Sequence, residues 1–131
     1  MLAPPFHWHD RYVQLRCVIV DDDDAFLDVA RSLLEREGVT VAGIAGNCAE
    51  AVECAVAQRP DVVLIDIRLS DESGFDAARL LAAEGQGWAL IMISTHREVD
   101  YADMIAESPA IGFLTKTDLS AAEIHRLLEA A

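Results

Sequence analysis

The chain has 131 residues, 53% of them hydrophobic and 25% charged, the balance of one globular domain able to bury a real core. Ten basic against 23 acidic residues give a net charge of -13, a field that repels nucleic acid and argues against direct DNA binding by these residues. No apolar run nears the roughly 18 residues of a membrane span, and residues 1–10 lack the basic and apolar regions of a signal peptide, so the reading is a cytoplasmic protein without membrane contact.

Residues 1–13 read as a loose arm ahead of a domain over 14–131. His7, Trp8, His9 and Asp10 could make a crude metal clip, but a loose arm accounts for them better. A buried strand rich in Val and Ile is predicted over 15–20. Phe26, Val29, Ala30, Leu33 and Leu34 recur at helical spacing, which predicts a helix over 24–37 that Gly38 ends. A second strand follows over 39–45. Asn47 caps the next helix, which runs to Arg59 and stops at Pro60. Val62-Val63-Leu64-Ile65 centres a third strand over 61–66. An Ala/Leu-rich helix over 73–84 ends near Gly85, and a fourth strand spans 88–94. A polar helix over 97–107 closes at Ser108-Pro109, and a short fifth strand takes 110–114. The last helix, over 119–130, is capped by Asp118. Cys17, Cys48 and Cys54 are an odd count without Cys-x-x-Cys spacing, so core packing is favoured over a disulfide framework or a zinc site.

Five strands alternating with five helices predict an α/β fold, a doubly wound parallel sheet covered on both faces. Such sheets bind ligands beyond the carboxyl ends of their strands. The first strand ends in Asp21-Asp22-Asp23-Asp24, the third in Asp66 and the fourth in Ser94-Thr95, and the fifth is followed by Thr115-Lys116-Thr117. Carboxylates gathered at one edge repel unless a cation lies among them, and hard oxygen donors suit Mg²⁺. An attacking carboxylate with a metal, a lysine and a hydroxyl is the equipment of phosphoryl transfer. Asp23 and Asp24 read instead as a helix start. Thr95 competes with Ser94 as the hydroxyl.

Val18-Ile19-Val20-Asp21-Asp22, then Asp61-Val62-Val63-Leu64-Ile65-Asp66-Ile67-Arg68, Ile93-Ser94 and Gly112-Phe113-Leu114-Thr115-Lys116, in that order, resemble the receiver domain of two-component response regulators. Ala45-Gly46-Asn47 and Ser94-Thr95-His96 resemble its NarL/LuxR-like subgroup. The resemblance implies a flavodoxin-like (βα)5 receiver fold with five parallel strands in the order 2-1-3-4-5. It implies Asp66 as phosphoacceptor, with Mg²⁺ held by Asp21, Asp22, Asp66 and the backbone carbonyl of Arg68. Ser94 and Lys116 would bind phosphoryl oxygens, Phe113 would be the switch aromatic, and Gly74 matches the glycine after the acceptor strand. Arg68 and His96 would flank the path of the hydrolysing water and lengthen the life of the phosphoryl group. The implied partners are a sensor histidine kinase or phosphotransfer protein and a downstream target or output domain. The signal would pass through the face of the fourth helix, fifth strand and fifth helix, where Val99, Tyr101, Met104 and Ile105 are candidates and where a homodimer is also open. The chain would be a stand-alone receiver or the receiver part of a transcriptional regulator, and no enzyme beyond its own phosphorylation and dephosphorylation.

Two positions depart from the family. Ser70 stands where Pro is common, which gives a more pliable and acidic loop. Thr117 replaces the Pro that follows the lysine, and since a cis bond before a non-proline costs about 3–4 kcal/mol, a trans or strained bond is expected. Two rival readings remain. A haloacid dehalogenase-type phosphatase needs Asp-x-Asp, but Arg68 occupies the third place, and its acidic pair should come last rather than first. A receiver-like interaction module that is never phosphorylated is left open by Ser70 and Thr117.

Overall fold

A computed structural model describes residues 15–131. The arm expected over 1–13, with His7, Trp8, His9 and Asp10, lies outside the described residues. Five strands form one parallel sheet: β1 (Arg16–Val20), β2 (Thr40–Ala45), β3 (Val62–Asp66), β4 (Ala89–Ser94) and β5 (Gly112–Thr115). Their order is β2-β1-β3-β4-β5, as the resemblance implied. The connecting helices are α1 (Asp24–Arg36), α2 (Cys48–Gln58), α3 (Gly74–Ala83), α4 (Ala102–Glu107) and α5 (Ala121–Ala130).

Side chains alternate across each strand, so every strand feeds two cores. Val18, Val20, Val63, Ile65, Leu90, Met92 and Phe113 pack with Ala51 and Ala55 of α2, Phe75 and Leu81 of α3 and Ile105 of α4. Cys17, Ile19, Val62, Leu64, Ile91, Ile93 and Leu114 pack against Leu27, Ala30 and Leu34 of α1 and Ile124 and Leu128 of α5. Burial on both faces explains why β3 is a continuous apolar run, each such side chain contributing about 1.5–3 kcal/mol. Cys17 and Cys48 are buried, Cys54 is half-buried against the core, and all three are free thiols. Burial pushes the Cys17 thiol up to about 12, so it behaves as a small hydrophobe.

The caps of the first two helices match their sequence signals. The Asp23 side chain accepts from the backbone N–H of Ala25 and Phe26, and Asn47 Oδ1 accepts from Glu50 N at 2.9 Å. Arg59 ends α2 in the left-handed region (φ 49°) before Pro60.

Three segments differ from expectation. The helix predicted over 97–107 is a 3-10 turn, Glu98–Asp100, followed by the six-residue α4. Ile105 is its only buried residue and Val99 is 71% exposed, so too little apolar face exists to hold a longer helix. The last helix starts at Ala121, not Leu119, because Lys116–Asp118 forms a 3-10 turn and the Ser120 hydroxyl, rather than Asp118, accepts from Glu123 N at 3.1 Å. The loop after β3 closes as a small antiparallel hairpin in which Arg68 pairs with Ser73 and Leu69 with Glu72, with Ser70 at φ 49°. No described peptide bond is cis, so Lys116–Thr117 is trans.

Candidate functional site

The chemistry-bearing residues collect where β1, β3 and β5 end. Asp21 follows β1 and is fully buried (0% exposed). Its backbone N–H donates to Ala45 O at 2.9 Å, and its Oδ1 accepts from Asp23 N at 2.9 Å. Asp66 closes β3, and its Oδ1 accepts from Arg68 N at 3.3 Å. Asp22 is exposed, and its Oδ2 accepts a hydrogen bond from the Ser70 hydroxyl. Asp21, Asp22 and Asp66 can each offer one oxygen within 4.8 Å of the others.

Lys116, just past β5, spans two of these carboxylates. Its Nζ lies 2.7 Å from Asp21 Oδ2 and 3.2 Å from Asp66 Oδ2. The ammonium also sits 4.3 Å from the centre of the Phe26 ring, a cation–π contact that helps hold it over the acids. Its placement therefore does not depend on a proline at position 117.

Burial raises the Asp66 pKa above its ordinary value, and the Asp21 charge adds to the rise, while Lys116 and the Arg68 N–H pull against it. Burial works against the Lys116 ammonium, but its hydrogen bond to Asp21 and the charges of Asp66 and Asp21 outweigh that cost and raise its pKa. Three carboxylates against one ammonium leave an excess of negative charge. At an effective dielectric constant of 20, two carboxylates about 5 Å apart repel by roughly 3 kcal/mol. An all-oxygen donor set under that strain fits a hard divalent cation such as Mg²⁺.

The other predicted residues are distributed around this cluster. Ser94 is 2% exposed and stands one residue beyond Ile93, the β4 partner of Asp66, and its Oγ accepts from His96 N at 3.0 Å. Thr95 is exposed. The Arg68 backbone meets Asp66, while its side chain is exposed and helps line an open cavity of about 640 Å³ with Asp22, Ser70 and Tyr101. His96 is exposed, its ring edge-on to Tyr101 with centroids 6.3 Å apart. Phe113 is buried in the core it shares with Ile105. Gly74 has a steric cause, since a Cβ there would come within 1.9 Å of the Asp66 carbonyl oxygen. Phe26 and Ser70 had no site role in the sequence, because their partners lie 90 and 48 residues away.

The family model described as the response regulator receiver domain matches residues 17–129. Among curated relatives, the transcriptional regulatory protein LnrK of Bacillus subtilis is 32% identical over 108 residues, 82% of this chain and 49% of LnrK. The chain spans about half the length of the curated relatives it matches. Among solved structures, the receiver domain of the response regulator NarL from Mycobacterium tuberculosis superposes with a TM-score of 0.75 at 29% identity, covering 88% of this chain and 94% of that one. A LuxR-family response regulator from an Aurantimonas species gives a TM-score of 0.76 at 28% identity, covering 88% and 82%.

Proposed function

The chain belongs to the response regulator receiver domain family, signalling switches rather than classical enzymes, and we propose that residues 14–131 form one such switch, loaded with a phosphoryl group on Asp66. The observation that carries this reading is Lys116, whose ammonium reaches both Asp21 and Asp66 at an edge where three carboxylates converge. The donor would be the phosphohistidine of a sensor kinase or phosphotransfer protein. An Asp66 carboxylate oxygen attacks phosphorus, the new O–P bond forms as the P–N bond breaks, and the imidazole leaves. Asp21, Asp22, Asp66 and the Arg68 carbonyl would hold Mg²⁺. When bound, the ion supplies positive charge to the equatorial oxygens of the transferring group.

The chain's own groups do the positioning. Lys116, freed from part of its pairing with Asp66, takes a phosphoryl oxygen, and the Ser94 hydroxyl takes another. Phe113 and Ile105 share one core, so repacking there carries the change to the face of α4, β5 and α5. On that face Val99 and Met104 stay exposed for a downstream target, an output domain or a second copy. Arg68 and His96 at the rim slow the approach of water to the acyl phosphate. The net charge of -13 leaves direct nucleic-acid binding outside this domain's role.

Incubation with acetyl phosphate and Mg²⁺, read by intact mass, tests the proposal. One added phosphoryl group that is absent from Asp66→Asn is the expected result. No adduct from acetyl phosphate or a panel of kinases would favour an interaction module, and steady turnover of a phosphate ester would favour a phosphatase.

A further inference from the structure

Asp22 is the weakest-placed member of the acidic cluster. Asp21 and Asp66 are buried, whereas Asp22 is exposed at the turn between β1 and α1, where a carboxylate left alone samples several rotamers. Among the described residues, one hydrogen bond restrains it. The Ser70 hydroxyl, 48 residues away in sequence, donates to Asp22 Oδ2.

The loop bearing Ser70 is built to deliver that hydroxyl. Its arms pair as an antiparallel hairpin, with Ser70 and Asp71 at the turn. Glu72 Oε1 accepts from Cys48 N at 2.9 Å, which anchors the hairpin to the start of α2. Gly74 N donates to Ile67 O at 2.7 Å and closes its base. At φ 49° Ser70 occupies a conformation that glycine or asparagine adopts at lower cost. A serine there accepts a backbone penalty and supplies a donor aimed at Asp22.

We propose that Ser70 is a positioning residue for the cation site, holding one oxygen of Asp22 so that the other is presented beside Asp21 and Asp66. The inference rests on the Mg²⁺ reading above. A carboxylate has two oxygens, so a hydrogen bond to one leaves the other free to ligate. Groups that orient a metal ligand from behind typically change affinity by about 10- to 100-fold when removed.

Titration calorimetry of the full chain with MgCl₂ tests this, beside thermal melts in EDTA. Ser70→Gly suits the backbone and deletes the hydroxyl, and Ser70→Asn suits the backbone and restores an N–H donor. The expected result is that Ser70→Gly weakens Mg²⁺ binding about 10-fold while melting no lower than the parent in EDTA, and that Ser70→Asn recovers part of the affinity. Parent-like Mg²⁺ affinity in Ser70→Gly overturns the proposal, as does a weakening that merely accompanies a lower melting temperature in EDTA. A parent isotherm that is absent, or that survives in Asp66→Asn, overturns the Mg²⁺ reading itself and takes this inference with it.

Discussion

At the scale of single residues, the site depends on contacts that tolerate little change. Gly74 is the sharpest case, because a methyl group there meets the carbonyl oxygen of Asp66 at 1.9 Å and also crowds Ile67. Backbone atoms cannot turn aside as the tip of a long side chain can. Gly74→Ala should therefore cost about 1–3 kcal/mol in urea unfolding and slow phosphorylation by acetyl phosphate, since the shift falls on Asp66, the proposed acceptor. Unchanged stability with an unchanged rate would contradict that account. The same residue illustrates what sequence order can carry: a glycine eight places after Asp66 is recognisable there, but the close approach that demands it is not.

Among the elements, the ends of helices show where legibility stopped. The run from Val62 to Ile65 could hardly be anything but a buried strand, and the cap at Asn47 was equally plain. The last helix was harder, because Asp118 and Ser120 are both good capping residues two places apart. Ser120 wins because the 3-10 turn Lys116–Asp118 uses Asp118, and Ser120-Ala121-Ala122-Glu123 carries the Ser-x-x-Glu spacing of a helix start. Ser120→Ala should destabilise the domain by about 1 kcal/mol and Asp118→Ala by under about 0.5 kcal/mol; the reverse order in denaturant titrations would reassign the cap. The hairpin after β3 gave no signal at all, since its two-residue arms are too short for any periodicity. The segment around α4 misleads for the opposite reason, as its residues are compatible with a longer helix but only Ile105 of α4 is buried.

For the molecule as a whole, the acidic cluster sets function against stability. Burial and Asp21 raise the Asp66 pKa from its ordinary 3.8, so the charged form is costlier in the fold than in the unfolded chain. The contribution of this group is fully present below the unfolded pKa and is lost as pH rises through the higher folded one. At neutral pH the parent bears that loss. Asp66→Asn should then melt above the parent in EDTA at pH 7, by a margin that shrinks towards pH 4. In saturating Mg²⁺ the parent should overtake it, gaining about 2.7 kcal/mol at a hundredfold excess over Kd. An Asn variant that melts at or below the parent in EDTA would show that Lys116 already offsets the whole cost.

β5 ties folding fidelity to signalling competence. It is four residues long, lies at the sheet's edge with β4 as its sheet neighbour, sends Phe113 into one core and Leu114 into the other, and then delivers Lys116 to the acids. A slip of one residue against β4 would exchange those two side chains between the cores and carry the lysine about 3.3 Å along the strand. A misregistered molecule would thus also be mute, with its ammonium out of reach of both carboxylates. A badly paired form would therefore betray itself by failing to bring one ammonium to two carboxylates.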